Sequence, residues 1–584
     1  MLATIHLGMY SNKENINILT ALLTEWGVSD AVVCPGSRNA AIVHNLSVCG
    51  SMRCHPITDE RSAAFYALGI ALATKRPTVV CVTSGSALLN TAPAVAEAFY
   101  QHAPLIVIAA DRPQQWIGQL DGQTLPQPDA LGRFVRRSVS LPEPRTAEER
   151  WFCNRLVNEA LYAATNEQPA PVLINVPITE PLFAFDVDKL PAERRFHRLG
   201  DSRSLSIATV NALQQAICHA QKPLIVVGQM PTNKQRQSAF DIAKLAEHFV
   251  VFAEPLSNSS ATIHFDEAVR YLSAHSEQQT EYTPDYIIYI GDTLVSKPTR
   301  RWLRHTQAPS CFVTPNAQDV PDPLTTLTHI VECSYEALPQ LFDALCAIYT
   351  QKKTCTDKSS DMACNEPNAT SHKAFRAKWH ELLSRFAQHA TRFAPQFSQM
   401  AVVKYLEEQI NNSGVEVNMH YANSTAVRLA CIYARHYVWC NRGVNGIEGS
   451  LSTAAGFSLA DKRLSVCVIG DLSFFYDQNA LWNQCVGGNL RIVLLNNGGG
   501  AIFKQLPGLS NSPVADTYVG ASHTTTAQGI CAQNHVEYIS AHNMEETQRG
   551  IDALLNRKSN RPILLEVFTD AETDAETQKE YFSF

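Results

Sequence analysis

Short apolar runs rich in Val, Ile and Leu alternate along this chain with longer amphipathic segments. In the first third the runs are DAVVCPG (30–36), TVVCVTSG (78–85), PLIVIAAD (104–111) and PVLINVP (171–177). Runs of about four to eight apolar and β-branched residues, closed by Gly, Pro or Asp, read as strands buried on both faces. Helical spacing fills the gaps, most clearly over 60–74 and 86–100. Strand and helix in repetition predict βαβ units and a parallel sheet. The alternation returns at KPLIVVGQ (222–229), FVVFAEP (249–255), DYIIYIGD (285–292), SCFVTPN (310–316) and HIVECS (329–334). It returns a third time at GVEVNMHYAN (414–423), YVWCNRG (437–443), RLSVCVIGD (463–471), LRIVLLNNG (490–498) and RPILLEVFTD (561–570).

The expected fold class is therefore α/β, with three doubly wound, mostly parallel-sheet domains over 1–190, 200–350 and 374–584. QKKTCTDKSSDMACNEPNATSHK (351–373) is polar and without period, which fits an exposed linker or insertion. The central third has no G-x-G-x-x-G turn and so gives no dinucleotide signal.

Composition narrows the partners. A chain of 584 residues exceeds what one core fills, and about three to five units are expected. Its formal charge of -7 argues against a polyanion-binding face, so nucleic acid is not an expected partner. No apolar run reaches the roughly 18 residues of a membrane span, and Lys13 and Glu14 stand where a signal peptide would need its apolar core. The expected location is the cytoplasm, with no membrane partner. The 16 cysteines are scattered without C-x-x-C or zinc spacing, and read as small buried residues such as Cys81 and Cys467.

Candidate chemistry sits where two successive apolar runs end, one in Gly470-Asp471 and the next in Asn496-Asn497. Parallel strands joined by a right-handed crossover bring their carboxyl ends to one crevice, where α/β sheets bind ligands. A carboxylate, an amide oxygen, a backbone carbonyl and phosphate oxygens suit the octahedral shell of Mg²⁺. Gly498–Gly500 let the backbone come close to a ligand.

This segment resembles the diphosphate and metal motif of the thiamine diphosphate enzymes, which begins Gly-Asp and closes Asn-Asn, with Leu472 in place of the commoner Gly. The resemblance implies that Asp471, the Asn497 side chain and the Gly499 carbonyl hold Mg²⁺, with Mn²⁺ as the alternative, and that Leu472 and Ser473 border the cofactor. It also implies a glutamate beside the cofactor's aminopyrimidine ring. Glu60 in ITDERSAAFYALGIAL stands at a strand-to-helix junction, and its task would be a hydrogen bond that favours the imino tautomer.

CPGSRNA (34–40), DERSAAFYALG (59–69), ADRP (110–113), YANSTAVR (421–428), NRGVNGIEGSLSTAAG (441–456), GDLS (470–473) and NNGGGAIF (496–503) together resemble the 2-succinyl-5-enolpyruvyl-6-hydroxy-3-cyclohexene-1-carboxylate synthase family of menaquinone biosynthesis. Members are transferases that decarboxylate 2-oxoglutarate and add the remaining unit 1,4 to isochorismate. Both substrates carry two carboxylates, which arginine's planar fork can hold in paired hydrogen bonds. The resemblance assigns Ser424, Arg428 and Arg442 to the succinyl carboxylate. Isochorismate falls to Ser37, Arg38, Arg112, Gln123 and Lys297. Ile447 would prop the cofactor in its bent shape, and Ile502, Phe503 and Leu506 would wall the cavity. Pro298 follows Lys297 where the family usually has arginine, removing one expected cation that Arg300 or Arg301 would have to replace. Family architecture implies a homodimer or homotetramer with each active site between two chains.

Two other readings stay open. One is a different thiamine diphosphate 2-oxoacid decarboxylase or an acetolactate synthase-like enzyme, which would not need Ser424 and Arg428 for a distal carboxylate. The other is a non-catalytic α/β binding module.

Overall fold

The computed structural model describes residues 9–166, 168–197, 205–217, 219–231, 242–257, 264–316, 320–350, 369–500 and 508–584. The chain divides into two compact units, the first comprising 1–199, 415–423 and 440–569, and the second 200–414, 424–439 and 570–584. The first unit thus draws on both ends of the chain.

Its first sheet contains β1 (Asp30–Val33), β2 (Arg53–Pro56), β3 (Thr78–Val82), β4 (Leu105–Asp111), β5 (Arg137–Ser140) and β6 (Val172–Pro177), all parallel in the order β2-β1-β3-β4-β6-β5. The winding reverses between β1 and β3, which makes the carboxyl ends of those strands a switch point of the kind that binds ligands. Strands β1, β3 and β4 are buried along their whole length, as continuous apolar runs between two helical layers require. The second sheet has β7 (Val417–Tyr421), β8 (Leu464–Gly470), β9 (Leu490–Asn496), β10 (Glu537–Ala541) and β11 (Ile563–Phe568), parallel in the order β7-β8-β9-β11-β10. With β2 set aside, the two sheets share one winding order. Within these two sheets the strands that the apolar pattern did not predict are β2, β5 and β10. Each mixes polar with apolar residues and leaves part of its length accessible.

Two helices pack together at the centre of this unit. Helix α1 (Glu60–Thr74) is buried from Ser62 to Leu72, and α3 (Ser450–Ala460) from Ser450 to Ser458, because both sequences are apolar or small on every side. A Cβ on Gly69 would lie 2.1 Å from Thr453 O, and one on Gly456 would lie 2.2 Å from Tyr66 O. The helices therefore touch backbone to backbone. Asp59 caps α1 by accepting from Arg61 N and Ser62 N. Tyr66 donates to Ala480 O at 2.5 Å. Asp477, fully buried, accepts from Ser452 N at 2.8 Å and Ser452 Oγ at 2.7 Å, and burial pushes its carboxyl up to about 6. Helix α2 (Ala92–Tyr100) follows a short helix, Ser86–Asn90; the two were expected as one helix over 86–100, but the chain breaks at Thr91, just before Pro93.

The second unit holds a parallel five-stranded sheet in the order Val250–Ala253, Pro223–Val227, Tyr286–Ile290, Ser310–Thr314, Leu327–Glu332. Phe252 stacks on Phe265 at 4.8 Å and meets Trp379 edge-on at 5.1 Å. Of the polar stretch 351–373, residues 351–368 lie outside the described residues, whereas the last five open the helix Ala369–Arg392. Among the described residues no helix is long and apolar enough to cross a membrane.

Gly456→Ala forces its new methyl group against the Tyr66 backbone, which has no rotamer by which to yield. The variant is expected to lose about 1–3 kcal/mol of unfolding free energy, the usual range for overpacking, measurable by urea titration. An unchanged midpoint would mean that the helix pair separates at no cost.

Candidate active site

Asp471 begins helix α4 (Asp471–Tyr476) directly after β8, and Asn497 follows β9, the strand paired with β8. The carboxyl ends meet as the topology requires. Asp471 is 4% exposed. Its Oδ1 accepts from Leu472 N at 2.6 Å, while Oδ2 accepts from Asn497 N at 3.2 Å and Gly499 N at 3.0 Å. Burial pushes the carboxyl up, and these backbone N–H groups together with His523 oppose the shift. A Cβ on Gly499 would lie 2.8 Å from Gly520 O, so only glycine lets the loop close this far. Ser473 is buried on α4.

His523 joins this group, although no sequence spacing singles it out. Its Nδ1 accepts from Thr525 N at 3.1 Å, which leaves the proton on Nε2. Nε2 lies 3.5 Å from Asp471 Oδ2, and Phe475 stands edge-on to the ring at 5.3 Å. Leu472, Phe475, His523, Thr525, Thr526 and Ile530 help line a cavity of about 590 Å³ beside Asp471.

The donor chemistry here fits a hard cation and a diphosphate. The Asp471 carboxylate and the Asn497 side-chain oxygen are donors of the type such a cation takes, and nothing stands within 4 Å of a Cβ on Gly470. Among the described residues no three His, Cys, Asp or Glu side chains are grouped to hold a metal. An ion at Asp471 would complete its shell with phosphate and water oxygens, as Mg²⁺ ordinarily does.

Glu60 is the first residue of α1, half-buried, and its Oε2 accepts from Asn90 Nδ2 at 3.2 Å. Its flanking residues are tied elsewhere: Asp59 accepts from Asn479 Nδ2 at 2.6 Å, and Arg61 donates to Tyr476 O at 2.7 Å while lying over the Tyr476 ring. Among the described residues Glu60 shares no hydrogen bond with the Asp471 group.

Of the residues expected to receive isochorismate, Ser37, Arg38, Arg112 and Gln123 belong to the first unit and Lys297 to the second. Ser37, exposed, follows β1 at the switch point. Arg38 is turned inward, donating to Ile178 O and to Glu180 Oε1, both at 3.2 Å. Arg112 follows β4, donates through Nε to Gly122 O at 3.3 Å, and so lies beside exposed Gln123, whose φ is 55°. Lys297 is exposed and lies in the second unit. It opens the helix Lys297–His305, with Ser296 as cap and Pro298 in the first turn, where its missing N–H costs no helical bond.

Ser424, with φ of 73°, occupies the N-cap position of the helix Thr425–Tyr433 without a side-chain capping bond, and Arg428 stands one turn further on; both belong to the second unit. Arg442 is 9% exposed and donates through Nη1 to Asn423 Oδ1 at 3.0 Å. Ile447 is 43% exposed, so it is not a core residue. Ile502, Phe503 and Leu506 lie outside the described residues.

Two family descriptions match the chain: thiamine pyrophosphate enzyme, N-terminal TPP binding domain, over residues 16–131, and thiamine pyrophosphate enzyme, C-terminal TPP binding domain, over 422–567. The first covers β1 to β4 with Glu60, and the second covers the Asp471 group. Fold and site thus define a thiamine diphosphate-dependent enzyme. The chain is 40% identical over 583 residues to the 2-succinyl-5-enolpyruvyl-6-hydroxy-3-cyclohexene-1-carboxylate synthase of Phocaeicola vulgatus, covering 98% of this chain and 99% of that one. The synthase of the same name from Bacteroides thetaiotaomicron is 39% identical over 98% of this chain and 99% of its own, and that of Porphyromonas gingivalis 32% identical over 98% of both. The chain belongs to the 2-succinyl-5-enolpyruvyl-6-hydroxy-3-cyclohexene-1-carboxylate synthase family.

Asp471→Asn keeps the shape of the side chain but removes the charge that a divalent ion needs. Calorimetric titration with thiamine diphosphate and Mg²⁺ is expected to show at least about tenfold weaker binding than in the parent protein. Equal affinity would take Asp471 out of the metal site.

Proposed function

We propose that this protein converts 2-oxoglutarate and isochorismate into 2-succinyl-5-enolpyruvyl-6-hydroxy-3-cyclohexene-1-carboxylate, with release of carbon dioxide, as a cytoplasmic step of menaquinone biosynthesis. The observation that carries the proposal is the Asp471 group, in which a buried carboxylate, the Asn497 amide and the Gly499 backbone meet at the ends of two paired strands. Bound thiamine diphosphate supplies the electron sink for decarboxylation. The protein's own residues bind, orient and exclude water.

In this reading Asp471, Asn497 and Gly499 hold Mg²⁺, or Mn²⁺ in its place, and Leu472 and Ser473 border the diphosphate. Glu60 hydrogen-bonds a nitrogen of the aminopyrimidine ring. Ile447, exposed on its loop, supports the cofactor from one side. Ser424, Arg428 and Arg442 receive the distal carboxylate of 2-oxoglutarate. Ser37, Arg38, Arg112, Gln123 and Lys297 receive isochorismate, and Arg38 must turn from Glu180 to do so. Ile502, Phe503 and Leu506, which lie outside the described residues, keep their proposed place beside the substrate. We take the three larger sheets as three domains, and the active form as a homodimer or homotetramer whose sites lie between chains. The exposed apolar side chains of Leu89, Tyr100, Val444 and Ile447 support a second chain as the cover.

The defining assay follows isochorismate loss in purified protein with 2-oxoglutarate, thiamine diphosphate and Mg²⁺, omitting each component in turn. Consumption that needs all of them, with a succinylated product confirmed by mass, is the expected result. Carbon dioxide release with isochorismate untouched would point to another acceptor, and Pro298 would be the first position to restore to arginine. A shared site is tested by mixing inactive Glu60→Gln and Asp471→Ala chains, where exchanged subunits are expected to regain activity. Verified mixed dimers that stay inactive would place both residues in one chain's site.

A further inference from the structure

Helix α2 carries a buried acid that the proposed chemistry does not use. Glu97 is 3% exposed, and its two carboxyl oxygens accept the backbone N–H groups of Gly443 and Val444, both at 2.7 Å. Gln101 Nε2 adds a third hydrogen bond at 2.6 Å. Burying a carboxylate is costly unless its lone pairs are met, and here they are met chiefly by one loop. Position 443 also leaves no room for a side chain, since a Cβ would lie 2.9 Å from both Glu97 O and Tyr100 Cβ. Burial pushes the Glu97 carboxyl up, while the two backbone N–H groups, Gln101 and the nearby Arg442 guanidinium oppose that shift.

The same loop has a second anchor. Asn423, at the end of β7, donates through Nδ2 to Asn441 O at 2.7 Å and Gly446 O at 2.8 Å, and its Oδ1 accepts from Arg442 Nη1 at 3.0 Å. Asn441 in turn donates to Thr453 Oγ1 on α3 at 3.0 Å. Residues 441–446 are thus held from α2, β7 and α3 together. Between these anchors sits Arg442, whose buried Nε has no hydrogen-bond partner among the described residues. A desolvated cationic N–H without an acceptor is a site for a ligand oxygen.

We infer that Glu97 is a positioning residue for the oxoacid site: by clamping the N–H groups of Gly443 and Val444 it aims Arg442 at the distal carboxylate of 2-oxoglutarate, and Asn423 completes the setting. The inference rests on the proposed function above. Gln at 97 has nearly the same shape, but its NH₂ opposes one of the two N–H groups that the carboxylate accepts.

Steady-state kinetics of Glu97→Gln, Arg442→Ala and the double variant, each with thiamine diphosphate and Mg²⁺, test it. Glu97→Gln is expected to raise KM for 2-oxoglutarate about tenfold, the scale of one hydrogen bond to a charged group, with KM for isochorismate changed by less than about twofold. The double variant is expected to be no worse than Arg442→Ala, because the effect of Glu97 passes through Arg442. Additive losses, an equal rise in both KM values, or no change would overturn the inference. If Glu97→Gln does not fold, Asn423→Ser must give the same KM split and the same non-additivity with Arg442→Ala, or the inference fails. If the parent protein turns over no oxoacid, the proposed function falls and so does the substrate role of Glu97. Amide exchange at Gly443 and Val444 then separates the two failures: protection lost in Glu97→Gln keeps the clamp, and protection unchanged removes that too.

Discussion

The cofactor unit depends on a contact that only two glycines allow. Where α1 crosses α3, Gly69 faces the Thr453 carbonyl and Gly456 faces Tyr66, each too close for a Cβ. This joins a helix from the first sheet to a helix from the second, nearly 400 positions apart in sequence. Glu60 starts α1, and the loop that carries Arg442 and Ile447 leads into α3. A shift of one helix along the other would therefore displace both sets of proposed site residues at once. Close packing of this kind is stiff, because backbone cannot rotate away from a clash as a side chain can.

The protein repeatedly uses one electrostatic device, a buried carboxylate that accepts backbone N–H groups, alone or together with side-chain donors. Asp471 holds Asn497 and Gly499, Glu97 holds Gly443 and Val444, and Asp477 holds Ser452. Glu566 takes Ala527 N together with Asn496 Nδ2 and Tyr538 Oη, and in the second unit Glu254 takes Val295 N and Ser296 N. Loops at the carboxyl ends of parallel strands leave N–H groups that no sheet satisfies, and a buried acid meets two of them with one side chain. The arrangement fixes loop direction without apolar bulk, which leaves the crevice open for a ligand.

Much of the fold, and the meeting of Asp471 with Asn497 at the candidate site, was legible in the chain. Central strands announce themselves because burial on both faces demands unbroken apolar runs, and their spacing with helices between them implies parallel order. Edge strands β2, β5 and β10 escaped that signal because part of each stays accessible. Asp471 and Asn497 were legible because strand ends are predictable and these two close successive apolar runs, one in Gly-Asp and the next in Asn-Asn. His523, Asn423 and Glu97 were not. Glu97 meets Gly443 across 346 positions, and nothing in the local pattern of α2 distinguishes it from an ordinary helix acid. Arg38 shows the converse case: its place after β1 was foreseeable, its bonds to Ile178 and Glu180 were not.

By itself, the sequence determined what local physics can write: the apolar period of each element, the caps and breaks, the residue types at the strand ends, and the family that those types resemble. Only the tertiary structure decided which distant groups meet, because hydrogen bonds such as Glu97 to Gly443 and contacts such as Gly456 to Tyr66 exist only once two sheets, each wound on its own, have packed through a shared pair of helices.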